Sequence, residues 1–172
     1  MRGAIPCLAL FGALLLGGCG FSQTSLAPVV AQRVPVKTIA MMPGGGILAE
    51  AVAVELSARG FTIIDPAATS SLIVRLRLKE VEIAQVAGLS RFKNQGIDAV
   101  LVVRAVGYDQ QPQSASARMT STENGALIAG VTWQNGFGGQ QGSVVDRVMR
   151  KGLSQAASEI ANQLAAQVGP SA

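Results

Sequence analysis

Two hydrophobic periods alternate along this chain, and the points where one gives way to the other mark its elements. Residues 37–43 (Lys-Thr-Ile-Ala-Met-Met-Pro) are a short apolar run bounded by Pro35 and Pro43, which predicts a buried strand. Gly44, Gly45 and Gly46 then turn the chain into a pattern in which Leu48, Val52 and Leu56 recur every four residues, the spacing of one helix face. Gly60 suits the left-handed conformation just past a helix end, so the helix is expected to stop there and residues 61–64 to form a second strand. Asp65-Pro66 reads as the start of another helix: the carboxylate caps free N–H groups, and the proline occupies the first turn, where its missing N–H costs nothing.

Residues 76–83 alternate at period two and are read as a strand, although their surroundings look helical. A short helix over 89–95 should end at Gly96. Residues 98–108 are then the clearest strand in the chain, apolar on both faces in their first half, which predicts a central place in the sheet. Segments 114–123 and 126–137 flank Asn124-Gly125, two residues that tolerate positive φ, so a hairpin closed by a two-residue type I′ turn is expected. From Ser143, with Asp146 completing a variant capping box, Val145, Met149, Leu153, Ala156, Ile160 and Leu164 step by three or four and predict one long amphipathic helix lying along the sheet. The expected fold is α/β: a single domain over residues 36–168, with a mixed, mainly antiparallel sheet flanked by helices, a C-terminal amphipathic helix, and a tail at 169–172.

The N-terminal residues follow neither period. Met1-Arg2 is a short positive start, and residues 8–16 are an apolar stretch of the length of a signal peptide's central region, too short to span a bilayer. It runs into Leu16-Gly17-Gly18-Cys19, a lipobox: a branched apolar residue, two small residues and a cysteine. The thiol takes a diacylglyceryl group, and the small residues admit the peptidase that cuts between Gly18 and Cys19. Residues 1–18 are thus read as a signal peptide and Cys19 as the lipidation site. Each acyl methylene buried in a bilayer is worth about 0.8 kcal/mol, so two or three chains anchor the product durably. Residues 19–35, with Pro28, Pro35 and little charge, read as a flexible tether; the part after Cys19 could extend about 50 Å.

Composition narrows the chemistry. There is no histidine among the 172 residues, which removes histidine-dependent triads, imidazole acid–base work and most catalytic zinc sites. Of the two cysteines, Cys7 lies inside the signal segment, so the mature chain has no partner with which Cys19 could form an intramolecular disulfide. Arg2 is the only charged residue before Cys19, leaving thirteen basic against ten acidic residues; with aromatics at 4%, nucleic-acid binding is not expected. Glu80 and Glu82 are the closest carboxylate pair and are read as a solvated strand face. The Pro43–Gly46 loop either turns tightly or cradles a phosphate through its N–H groups, but it lacks the Gly-Lys-Ser/Thr ending of a P-loop. Trp133 and Phe137 share a strand face with Val131, and Gly138 and Gly139 follow in a pliable loop. These four are the candidate partner-binding residues, with core packing the competing role for Trp133. No catalytic, metal or cofactor residues are identified.

The order of these phrases resembles the curli-secretion-component (CsgG-like) family and its relatives, the lipoprotein activators of penicillin-binding proteins and the N-terminal domain of the Tol-system propeller protein (TolB). The phrases are residues 38–43, residues 48–64, Gly96-Ile-Asp-Ala-Val-Leu-Val and Thr122-Glu-Asn-Gly-Ala-Leu-Ile, which span nearly the whole mature domain. The resemblance implies a mixed α/β lipoprotein domain. A curli channel subunit spends two hairpins on a membrane barrel, whereas only one long hairpin, 114–137, is expected here. Similarity to the sorting rules of enteric bacteria, with Gly20 rather than Asp after the lipidated cysteine, implies the periplasmic side of the outer membrane, with the inner membrane as the alternative. The reading is a non-catalytic adaptor or scaffold, tethered to the lipid bilayer through acylated Cys19, that binds an envelope protein or copies of itself. The alternative is an oligomeric secretion-channel component.

Overall fold

The computed structural model describes residues 22–26, 35–108, 110–136 and 143–169. Its elements are β1 (Ser22–Leu26), β2 (Thr38–Met41), α1 (Gly46–Ala58), β3 (Thr62–Ile64), α2 (Pro66–Arg75), α3 (Glu80–Ile83), α4 (Val86–Lys93), β4 (Ala99–Tyr108), β5 (Gln111–Ser121), β6 (Leu127–Asn135), α5 (Val144–Met149) and α6 (Leu153–Gln167). The six strands form one open sheet in the order β1-β6-β5-β4-β2-β3. β4 pairs parallel with β2, and β2 with β3, while the β4–β5, β5–β6 and β6–β1 pairs are antiparallel. The expected α/β class and mixed, mainly antiparallel sheet are what the chain forms.

Helices cover the two faces unequally, and this explains the burial along β4. α1 and α6 pack together on one face, over Ile39, Met41, Leu101, Val103, Ala117, Met119, Val131 and Trp133. Arg59 of α1 links the two helices, donating to Asn162 Oδ1 at 2.7 and 2.9 Å. On the other face, Leu72, Leu78, Leu89 and Phe92 form a smaller cluster with Ala40, Val100 and Ile97, joined by the half-buried Met42 and Ile64. The first half of β4 is therefore buried on both sides, as its uninterrupted apolar run requires, and residues 104–108 run out beyond the helices into solvent. Among the described residues no helix is long and apolar enough to cross a membrane.

Several boundaries fall where the residue chemistry places them. The Asp65 carboxylate accepts from Ala68 N at 2.8 Å with Pro66 in the first turn of α2, and Gly60 and Gly96 follow α1 and α4 at positive φ. Gly44 and Gly46 also have positive φ, and a Cβ on Gly45 would sit 2.8 Å from the Val103 carbonyl oxygen. A tight turn pressed against β4 thus accounts for all three glycines.

Five expectations are corrected. Residues 76–83 are not a strand: α2 ends at Arg75 with Leu76 as its cap, Arg77 turns the chain at φ 51°, and α3 follows, with the Lys79 N–H donating to Glu82 Oε2 at 2.9 Å. The left-handed residue lets Leu76 and Leu78 reach the same apolar cluster, and that produces the period-two appearance. The hairpin at 124–125 exists, but its loop has five residues, 122–126. Gly125 alone takes positive φ, its N–H bonds to Ser121 O at 3.0 Å, and Asn124 Oδ1 accepts from Ala126 N at 2.9 Å. β5 starts at Gln111 and pairs with β4 as well as β6, making two hairpins rather than one. The C-terminal helix is broken at 150–152, because the Asn135 side chain takes both the N–H and the carbonyl of Lys151 at 2.9 Å and holds that residue out of the helix. Finally, part of the expected tether is strand β1, paired residue for residue with β6 from Ser22↔Asn135 to Leu26↔Val131.

Phe92 is fully buried against Leu72, Leu89 and Ile97, so Phe92→Ala should cost about 3–5 kcal/mol of unfolding free energy, whereas Val54→Ala at an exposed site should stay within about 0.5 kcal/mol. Urea titration followed by circular dichroism measures both.

Candidate functional site

β1 carries no apolar pattern; its hold on the domain is its backbone pairing and one polar cluster. Cross-strand partners share a face, so Ser22 and Thr24 point to the α6 side with Trp133. There the Glu159 carboxylate of α6 accepts from Ser22 Oγ at 2.6 Å and from Trp133 Nε1 at 2.8 Å, and its other oxygen pairs with Lys151 Nζ. Lys151 also donates to Ser22 Oγ at 3.0 Å. Burial alone would raise the Glu159 pKa, but the hydrogen bonds from Lys151, Ser22 and Trp133 outweigh it and hold the carboxyl below its ordinary value.

A serine hydroxyl against a lysine amine is the composition of a Ser/Lys hydrolytic dyad, but here its protons run the wrong way. The lysine must be neutral to accept the serine proton. In this cluster the ammonium is ion-paired with Glu159, and the serine hydroxyl donates to that same carboxylate. The arrangement clamps β1 to the core and leaves the serine unactivated. Gln167 completes the same edge one residue past the end of β1: its side-chain amide accepts from Gly130 N at 3.1 Å and donates to Gly130 O at 3.3 Å.

Among the described residues, nothing covers the sheet face away from α1 and α6 beyond β4, and it is polar. Ser116, Arg118 and Thr120 of β5 lie there with Thr132 and Gln134 of β6. Arg104 stands opposite Ser116 and Arg118 opposite Val102, so the two arginines are diagonal neighbours on adjacent strands. Both are exposed, and among the described residues neither is paired with a carboxylate. They edge a groove of about 650 Å³ with Met42, Val100 and Val102 on its floor and Leu89 and Ile83 toward the helices. Two unneutralised guanidinium groups over an apolar floor suit an anionic or amphipathic partner.

Of the residues singled out in the sequence, Gly18, Cys19, Phe137, Gly138 and Gly139 lie outside the described residues. Trp133 is in the core: its indole is fully buried, so the single chain offers no part of it to a partner. Of the apolar hairpin side that a barrel would have used, Ala129, Val131 and Trp133 face α6, whereas a register shift puts Leu127 opposite Thr120 on the other face and brings Ile128 into the core instead. Sequence reasoning missed Ser22, Lys151 and Glu159, which are brought together across as many as 137 positions by no local pattern. Arg104 and Arg118 had a signal, since each interrupts a strand at the polar position of the alternation. Among the described residues no three Cys, Asp or Glu side chains gather as metal ligands.

No family model matches the chain, and no curated protein matches it in sequence. Its fold is similar to solved structures. The PelC dodecamer from Paraburkholderia phytofirmans aligns with a TM-score of 0.50 at 14% identity, over 88% of this chain and 100% of that one, and a point variant of that dodecamer aligns equally. Lipoprotein GNA1162 from Neisseria meningitidis aligns with a TM-score of 0.46 at 20% identity, over 74% of this chain and 96% of that one. At such identities the likeness is one of fold.

Because the folded-state pKa of Glu159 lies below its unfolded value, the clamp contributes fully above the ordinary carboxylate range and is lost as pH falls through that range and below it. Glu159→Gln should therefore destabilise the domain by about 1–3 kcal/mol near neutral pH and flatten the acid limb of its stability curve. Thermal melts of both proteins across the acid range test this.

Proposed function

We propose that this protein is a membrane-anchored bacterial envelope lipoprotein, acylated at Cys19, that works by holding partners or copies of itself at the membrane rather than by catalysis. The observation that carries the reading is the Leu16-Gly17-Gly18-Cys19 motif directly ahead of a strand clamped to the domain. Ser22 is three residues from Cys19, so at most about 10 Å of chain separates the acylated sulfur from the sheet edge. The domain sits against its membrane instead of ranging on a long tether.

Support for a non-catalytic role comes from the chemistry: there is no histidine, and the serine–lysine contact is locked by Glu159. Self-association is the form of partner holding we favour, because the fold is shared with a protein that forms a dodecamer and because an open sheet ending in β1 and β3 has two edges available to a neighbour. The uncovered polar face with Arg104 and Arg118 is the surface we assign to an envelope partner. The outer membrane, on its periplasmic side, is the location we assign from Gly20.

Intact mass of the protein purified from its native host should show a chain starting at Cys19 with two or three acyl groups, and Cys19→Ser should abolish the modification. An unmodified N-terminus overturns the reading. Native mass measurement of the detergent-solubilised lipoprotein should give a multiple of the chain mass, and a monomer at every concentration would remove the self-association part.

A further inference from the structure

The parallel strands β2, β3 and β4 all end at one end of the sheet, where β5 begins, β6 finishes and β1 starts. Ser22 is therefore at this end, as are the Gly44–Gly46 turn, the β4–β5 tip, α5 and Lys151. The contacts here are direct: Asn135 Nδ2 donates to Pro112 O at 2.9 Å, Leu153 N donates to Gln110 O at 3.0 Å, and Lys151 reaches Ser22. Of the eleven large apolar residues exposed among the described ones, six lie here: Ile47, Val106, Tyr108, Val144, Val145 and Val148. The three valines form one stripe of α5, and they are 58–70% exposed. On the other side of α5, Asp146 is buried and paired with Arg150 at 2.9 Å.

We propose that this end of the domain rests in the interfacial layer of the bilayer to which Cys19 is acylated, with the α5 valines and Tyr108 as its contacts. The inference builds on the lipid anchor proposed above and adds a second, non-covalent attachment that sets the domain's orientation. The occupant is identified by where the chain before β1 ends. An acylated Cys19 lies within about 10 Å of Ser22, so the bilayer surface reaches this end before a protein partner can. Aliphatic side chains with a tyrosine beside them match the chemistry of the boundary between acyl chains and headgroups. Within α5 itself the Asp146 carboxylate is ion-paired with Arg150, while Glu50 and Asp65 lie at the same end beside the Gly44–Gly46 turn. Docked in this way, the domain points the Ser121–Leu127 loop away from the membrane and stands the Arg104–Arg118 face across it.

The test uses the processed lipoprotein in vesicles of phosphatidylethanolamine and phosphatidylglycerol carrying a doxyl-labelled phosphatidylcholine. Val144→Cys and Val148→Cys, each labelled with an environment-sensitive fluorophore, should show blue-shifted emission and lose roughly half of it to the doxyl lipid. Val74→Cys, on α2 toward the opposite end, should stay unshifted and unquenched. Equal, water-like emission at 74, 144 and 148 overturns the proposal. A blue shift at 144 and 148 that the doxyl lipid does not quench also overturns it, because a second protein copy would then cover the stripe. Intact mass of the same samples reports acylation at Cys19 separately, so an unlipidated chain is told apart from a lipidated one that does not dock. Tyr108→Cys repeats the measurement on another element should either α5 variant misfold.

Discussion

Pairing of Ser22–Leu26 with β6, locked by the Glu159 carboxylate, determines how the rest of the molecule is presented. A five-residue edge strand without an apolar pattern buries little hydrophobic surface, so its attachment rests on ladder hydrogen bonds and on a partly buried charge with three donors. A depressed carboxylate of this kind is stabilising only while its donors stay in place, and those donors come from β1, β6 and the linker before α6. The cluster therefore couples the chain's N-terminal entry to both halves of the fold. Without it, the chain between Cys19 and the core would regain the freedom of a tether.

The uneven helix cover has its own physical consequence. α1 and α6 bury one face of the sheet, but the α2–α4 segment covers β3, β2 and the start of β4 and leaves most of β5 and β6 to solvent on the other. Beyond that line the sheet satisfies its backbone internally and shows polar side chains to solvent, as a half-covered antiparallel sheet does. Among the described residues the arginines at 104 and 118 have no carboxylate partner, and both are exposed to water. A stable domain thus keeps one broad face available, and no residue of the hydrophobic core has to be given up to use it.

Fold likeness at 14% identity separates architecture from use. What this chain shares with the PelC dodecamer is the arrangement of strands and helices; what would make a ring, a docking face or a membrane contact lies in side chains at edges and ends. In this chain the edges and ends carry the clamp beside β1, the arginine pair and the valine stripe of α5.

Much of the fold was legible along the chain, because helix and strand periods, the Asp65-Pro66 cap, Gly60 and Gly96 are local signals that act through neighbouring backbone. The central place of β4 could be read from its apolar first half, and the absence of imidazole chemistry from composition alone. Tertiary structure decided what depends on distant partners. Ser22–Leu26 is a strand because β6 has an edge to offer it, Lys151 leaves the helical path because Asn135 takes its backbone, and Leu76 and Leu78 alternate to meet one cluster across a left-handed turn. For Trp133 a core place was favoured over a surface anchor, and α6 laid over it, with Glu159 meeting its N–H, decided for the core. A sequence specifies which side chains can bury or ionise; only packing settles which carboxylate finds which hydroxyl, since that contact bridges 137 positions and is held by no periodicity.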